Sequence, residues 1–349
     1  MQRSILAPLV LVVVFSGCSD NPVTTRTEAE TPASWQRHAL PSGIAGEAAV
    51  LDLEARDADL FVLGRRFFAA LDATGELGEA WSLLIPSGLS LPFTSNTYFV
   101  YPLDGRGLYP SSISINWSVE GRGVPTEVQL PLTLLDPALS ERAGYSAHGT
   151  PVAVINDEGR MLLSVHDSRL GDESRAYLYL VRLRPRAPGD FSEIHVAVER
   201  RIERPLRERV MTTGSRFFLS SVRALYELKQ SGDMRMLRDD GAWSVIEHDG
   251  QLFVYNWNGI FVSVDDGATW RRIGPGDGKG EFFVVDGRLC ILRSNSILLI
   301  DAVKGSATHL VDDGLPQDGH DWSVAVQFGN RVYVATHAGL YSKPVSEFF

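Results

Sequence analysis

Three stretches of this chain repeat one pattern, and a repeat constrains a fold more tightly than any single motif. They are "WSVIEHDGQLFVYNWNGIFVSVDDGATWRRI" from Trp243, "EFFVVDGRLCILRSNSILLIDAVKGSATHL" from Glu281 and "WSVAVQFGNRVYVATHAGLYSKP" from Trp322. Each runs through an apolar strand, a turn at Gly or Asn, a second strand, a short polar loop and a third strand. The turn positions Gly214, Gly250, Gly287 and Asn330 stand 36, 37 and 43 residues apart. Val, Ile, Leu and Phe fill the strands, while Gly, Asp and Asn fill the breaks. A period of about 40 residues with several short strands per unit predicts an all-β chain folded as a β-propeller, one unit to a blade.

The unit from Trp243 is the most regular, with strands expected at 243–247, 251–255, 259–264 and 269–273. A worn copy from Phe67 carries Asp72, a turn at Gly75 and Trp81 at the opening of a strand. Near the N-terminus, "ASWQRHALPSG" aligns with "ATWRRIGPGDG", so that Trp35 falls where Trp270 falls. Residues 33–40 then read as an outermost blade strand with no first three before it. The unit from Trp322 ends after its third strand. The N-terminal strand is expected to complete that last blade and close the ring, which removes exposed sheet edges. Blades are placed at 44–88, 89–140, 141–203, 204–240, 241–277, 278–316, and 317–344 with 33–43. Seven is the expected count, with six or eight as alternatives. Residues 89–203 align poorly and carry the polar connections "DSRLGDESRA" and "RLRPRAPGDF".

The chain has 349 residues, 44% hydrophobic and 22% charged, with a net charge of −10. That is a soluble globular composition. The acidic balance, without Lys/Arg runs, argues against nucleic acid, whose phosphates need a basic stripe. The N-terminus "MQRSILAPLVLVVVFSGCSD" holds an apolar run from Ile5 to Phe15, shorter than the about 20 residues of a membrane-spanning helix. It reads as a signal peptide over residues 1–17. Phe15-Ser16-Gly17-Cys18 resembles the lipobox of bacterial lipoproteins, with Phe15 where that family usually carries Leu. The resemblance implies lipidation of Cys18. With Ser19 rather than Asp behind it, it implies an outer-membrane address, facing the periplasm or the cell surface. Membrane contact is expected through this lipid only. Residues 18–32 read as the lipidated Cys and a flexible tether, and 33–349 as one propeller domain, a monomer. Cys290, in "RLCILR", is expected to be a buried small hydrophobe, with no disulfide.

The octapeptide "SVDDGATW" (263–270) spans the hairpin between the third and fourth strands of the best unit. Asp265 is suited to accept hydrogen bonds from the turn's own amides. Gly267 supplies a backbone conformation unfavourable to other residues, and Trp270 buries a large ring between blades. The two acids do not follow the spacing of a calcium loop, so no metal is expected. At Ser263, Asp265, Gly267, Thr269 and Trp270 the stretch matches the Asp-box. With the strand pattern, it makes residues 204–349 and 33–88 resemble sialidase-like propellers with BNR repeats; "RVYVATHAGLY" is similar to the blades of sensor-type propellers. The resemblance implies the fold and a structural role for the box. Sialidases also carry an Arg-Ile-Pro motif, whereas Arg-Ile at 201–202 and 272–273 is followed here by Glu203 and Gly274. No catalytic residue is carried over, and no cofactor is expected.

Other chemical motifs dissolve into architecture. "GPGDGKG" (274–280) joins one blade to the next rather than opening a helix, as a phosphate cradle would. The eight His residues lack zinc spacing. His166-Asp167 and His320-Asp321 are adjacent pairs, whose side chains point to opposite faces of a strand. Ligands are expected on the face formed by the loops between second and third strands and by the inter-blade loops. The candidates there are Asn256, Trp257 and Asn258; Arg293 and Asn295; His337; and His320 and Asp321. A Trp flanked by amides suits stacking on a sugar or anchoring a peptide; the alternative is packing against a neighbouring loop. The expected function is non-catalytic binding of a protein or glycan partner. The alternative is a glycan-active hydrolase or lyase with its acids in the 89–203 region, spaced as paired carboxylates must be.

Overall fold

The computed structural model describes residues 34–40, 49–56, 59–64, 67–72, 75–82, 93–94, 98–102, 112–117, 126–131, 152–156, 158, 160–167, 175–187, 190–204, 209–294, 296–310, 314–316 and 322–349. The segments expected to form a signal peptide and tether, with Cys18, and the candidates Asn295, His320 and Asp321 lie outside the described residues. Among the described residues no helix is long and apolar enough to cross a membrane.

The fold is all-β and propeller-like. The described strands form four-stranded antiparallel sheets spanning 50–82, 93–131, 152–204, 209–238, 244–274 and 280–310, and a last one at 322–344 that takes in an N-terminal strand. We number these sheets one to seven in that order. Within each of the first six, strand order follows chain order. In the seventh, Gln36–Arg37 pairs antiparallel with Gly339–Pro344, Gln36 opposite Ser342 and Arg37 opposite Tyr341. His38 extends the pairing, its amide donating to the Leu340 carbonyl at 2.9 Å. The first strand of each sheet packs beside the first strand of the next, and that of the seventh beside that of the first.

The fifth sheet explains the pattern. Its strands, Ser244–His248, Gln251–Asn256, Gly259–Ser263 and Arg271–Gly274, fall within two residues of the expected boundaries. "LFVYN" is buried along its whole length, because a second strand is covered by a neighbouring sheet on each face. The turns Asp249-Gly250 and Asp286-Gly287 have positive φ at both residues, the hairpin geometry that Asp-Gly favours. The core lies between sheets. Phe253, Tyr255 and Ile260 meet Ile291 and Leu298 between the fifth and sixth. Trp35 meets Phe283, Leu292 and Tyr341 between the sixth and seventh, edge-on to Phe348 at 6.1 Å. Cys290 is fully buried, and burial pushes its thiol up to about 12, so it serves as core.

Two expectations need correction. "RLRPRAPGDF" is not a loop: one strand runs Arg175–Ala187, the next Asp190–Arg204, with Ala187 opposite Asp190. Arg182, Arg184 and Arg186 alternate with Val181, Leu183 and Pro185, the two-residue period of a strand. Trp81 does not open its strand, which runs Leu77–Ser82 and sets Trp81 opposite Phe68.

Candidate functional site

Where the loops of the fourth and fifth sheets meet, a groove of about 200 Å³ opens. Its walls come from the loop between the second and third strands of each sheet, Ser220–Val222 on one side and Asn256–Asn258 on the other. The connection between the sheets, residues 240–243, and Arg209 complete its lining. The backbone amide of Trp243 donates to the Tyr255 carbonyl at 2.8 Å, which sets its ring beside the Asn256–Asn258 loop. Trp243 and Trp257 meet edge to face, ring centres 5.5 Å apart and planes at 72°. Trp257 nonetheless keeps 60% of its surface exposed, and Val222 opposite keeps 93%. These are large apolar groups held at a surface where no described residue covers them.

The loop beneath is rigid because its polar groups satisfy one another. Asn256, expected to face a ligand, is 3% exposed. Its Nδ2 donates to Asp240 Oδ2 and to the Gly241 carbonyl, both at 2.8 Å. Its Oδ1 accepts from the amides of Asn258 and Gly259 at 2.8 and 3.1 Å. All four hydrogen-bonding positions of the side chain are thereby engaged. Asp240 takes Arg238 on both oxygens at 2.6 and 2.9 Å, and Asn258 Nδ2 at 3.0 Å. Burial pushes the Asp240 carboxyl up, but the hydrogen bonds from Arg238, Asn258 and Asn256 outweigh it and hold the pKa below the ordinary value. The depressed pKa keeps this acid ionised at neutral pH, in a structural role. A general acid needs the opposite shift.

The remaining candidates divide. Arg293, also expected on the ligand face, is buried: it is ion-paired with Asp277, and its Nε donates to Ser296 Oγ at 3.0 Å. Tyr255 joins this cluster, donating its hydroxyl to the Asp277 carbonyl at 2.8 Å. His337 is exposed but does not line the groove. The groove therefore joins the fifth sheet to the fourth, not to the sixth and seventh. Trp243, Arg209 and Ser220–Val222 were missed, although the repeat marks the loop. Subtracting the 36-residue spacing from Asn256–Asn258 gives Ser220–Val222.

At the opposite end of the fifth sheet, the 263–270 hairpin is closed on itself. Asp265 Oδ1 accepts from Ser263 Oγ and the Thr269 amide, each at 2.8 Å, and Oδ2 from Thr269 Oγ1 at 2.6 Å. Those bonds hold its carboxyl down to about 2. Ser263 Oγ also accepts from the Gly267 amide at 2.7 Å. Gly267 has φ +85°, and a Cβ there would meet Leu237 at 2.9 Å. Trp270 donates Nε1 to the Leu237 carbonyl of the fourth sheet at 3.0 Å and packs into the core shared by the two sheets. Asp266, not singled out in the sequence, turns outward to bind Arg216 and Arg235 at 2.7 and 2.9 Å. Both arginines also hold Glu227, whose side chain is 4% exposed. Arg238 links the two ends. Its guanidinium carbon lies 3.8 Å from the Phe261 ring centre and 5.3 Å from that of Trp270, while its nitrogens grip Asp240.

No family model matches the chain, and no curated protein matches it by sequence. Solved structures do resemble it in fold. PorZ, an essential bacterial surface component of the type-IX secretion system of Porphyromonas gingivalis, superposes with a TM-score of 0.53 at 14% identity over 90% of this chain. The extracellular domain of the putative hybrid two component system BT4673 from B. thetaiotaomicron gives 0.53 at 10% identity over 89%. An acylaminoacyl peptidase from Pyrococcus horikoshii gives 0.52 at 10% identity over 83%. The chain spans 38%, 39% and 49% of those proteins. At such identities the likeness concerns the fold.

Proposed function

We propose that this chain is a non-catalytic binding module: a closed seven-bladed propeller that presents the Trp243–Trp257 groove to a protein or glycan partner. The observation that carries the reading is the state of Asp240. Among the described residues it is the only acid lining the groove, and Arg238, Asn256 and Asn258 bind both its oxygens. An exposed aromatic above a rigid, internally satisfied loop has the make-up of a binding hot spot. In this reading Gln36–Arg37 closes the ring, and the 263–270 hairpin is an Asp-box that braces two blades. The lipobox-like Phe15–Cys18 stretch anchors the module to the outer membrane by lipid. The surface and extracellular descriptions of PorZ and BT4673 are in keeping with that address.

The test has two arms. Wild-type protein is screened by pull-down and glycan array, and the affinity of any partner is then compared with Trp257→Ala. A loss of about 2 kcal/mol or more with an unchanged melt supports the groove as the site; unchanged affinity removes it. Cys18→Ser should release the protein from membranes and abolish acyl labelling, and unchanged fractionation would refute the anchor.

A further inference from the structure

Resting on that binding reading, we infer that the groove takes an acidic peptide segment, with an apolar side chain seated between Val222 and Trp257 and a neighbouring carboxylate held by Arg209 and Lys279. Three features of the site point to this chemistry.

The first is size and the make-up of the walls. Sites for whole small molecules run roughly 300–1,000 Å³, and this groove holds about 200 Å³. It fits one or two residues of a longer partner. Val222 on one wall and Trp257 on the other are large apolar side chains left exposed. An apolar side chain between them is taken out of water on both faces. A sugar ring can stack on Trp257, but Val222 offers its hydroxyls no partner.

The second is charge. The chain carries −10 overall, yet the acids at this site are already paired. Arg238 holds both oxygens of Asp240. Arg209, which lines the groove from the first strand of the fourth sheet, donates Nη2 to Glu281 in the first strand of the sixth. Its other N–H groups have no partner among the described residues. Lys279, two residues before Glu281, is exposed and bears no carboxylate among the described residues. Its ammonium lies 5.7 Å from the ring centre of Trp243, which lines the groove. Arg223 and Asp239, exposed and next in sequence to lining residues, carry one charge of each sign. These groups together leave an excess of positive charge. A carboxylate complements it, and Arg209 keeps more than one N–H with which to grip one.

The third is hydrogen bonding. Asn256 and Asp240 bind each other, and Ser220 Oγ both accepts from the Ala242 amide at 2.7 Å and donates to the Ala242 carbonyl at 2.9 Å. Asn258 differs. Its Nδ2 donates to Asp240, and among the described residues nothing donates to its Oδ1. The site therefore presents one open acceptor and several open cationic donors. An acidic peptide segment brings the matching set, a backbone N–H for the acceptor and a carboxylate for the donors. A basic segment would meet Arg209 and Lys279 as like charges, and a neutral one would leave them unmatched.

The experiment titrates the full-length, detergent-solubilised protein, by tryptophan fluorescence and calorimetry, with a blocked peptide in which leucine is flanked by glutamates. Parallel probes are its glutamine-flanked and lysine-flanked counterparts and an oligogalacturonate. The glutamate peptide should bind tightest, and its affinity should fall as salt is raised. Trp257→Ala should weaken it by about 30-fold, the scale of a central aromatic anchor. Lys279→Met should weaken it by about fivefold, the upper worth of an exposed ion pair. Glu281→Gln frees Arg209 and removes a like charge, and should tighten binding by about threefold, a gain that a damaged fold cannot produce. Thermal melts verify that the variants are folded. Binding unaffected by Lys279→Met or not tightened by Glu281→Gln overturns the inference. So does equal or tighter binding of the glutamine or lysine peptide, or binding of none. Binding of the oligogalacturonate alone, lost in Trp257→Ala, overturns the peptide assignment while leaving the groove as a binding site. A partner from the screen that Trp257→Ala fails to weaken removes the groove itself.

Discussion

The fifth sheet carries a tryptophan-bearing loop at each end, and the two behave oppositely. At one end Trp270 is drawn into the seam with the fourth sheet, and the acids beside it are bound by their own turn and by Arg216 and Arg235. At the other, Trp257 stays exposed on a loop whose amide and acid groups are just as fully engaged. Both ends are rigid, and what differs is where the ring goes. Trp270 precedes a short outer strand whose neighbour leaves a slot for it. Trp257 is held at the crest of a turn by Asn256, whose Oδ1 accepts from the two amides that follow it, those of Asn258 and Gly259. Rigidity with a buried ring makes a brace, and rigidity with an exposed ring makes an anchor for something else.

Substitutions can break this contrast, the largest effect first. Trp270→Ala removes a part-buried ring and its bond to Leu237, and should cost about 3 kcal/mol of stability by denaturant unfolding. Binding per folded molecule should hold. A variant as stable as wild type would show that the hairpin is no brace.

Asn256→Ala is next. It frees the Asn258 and Gly259 amides and breaks the tie to Asp240, at about 2 kcal/mol for the unsatisfied buried groups. Unlike its neighbour Trp257, it should lower stability and affinity together. Loss of affinity alone would mean that Asn256 touches the partner directly.

Acid should separate the ends further. Burial pushes Glu227 up, but Lys229, Arg235 and Arg216 more than reverse this and bring it from 4.5 to about 2. A carboxyl depressed in the folded state stabilises the fold fully above its unfolded pKa, and that contribution fades as pH falls from about 4.5 towards 2. Melting temperature measured across that window should fall less steeply in Glu227→Gln than in wild type. Parallel curves would place the acid-sensitive group elsewhere.

The smallest stability effect belongs to Trp257→Ala, whose melt should match wild type within about 0.5 kcal/mol, as for other surface sites. A drop approaching that of Trp270→Ala would mean that the contact with Trp243 is packing rather than display, and the contrast between the two ends would collapse.

Much of this was legible in the chain. The 36- and 37-residue spacings, the Asp-Gly turns and the fully apolar second strands placed the strands of the fifth sheet to within two residues, because such signals act over a few neighbours. The match of Trp35 to Trp270 marked the N-terminal strand for the same reason. The arginine alternation at 182–186 carries the two-residue period as well, but its polar composition reads as a connection.

The site was legible only in part. Residue type marked Asn256, Arg293 and Trp257 alike as groups that bind. Which one reaches solvent depends on what stands opposite, and that is not a property of its own loop. Asp240 and Gly241 arrive from the preceding connection to saturate Asn256, Asp277 arrives to neutralise Arg293, and among the described residues none arrives to cover Trp257. Local sequence therefore determined the strands, the turns and the closed hairpin, whose partners lie within a few residues. The groove was decided by tertiary structure, because the burial of a side chain is set by chain segments that only the packing of neighbouring sheets brings together.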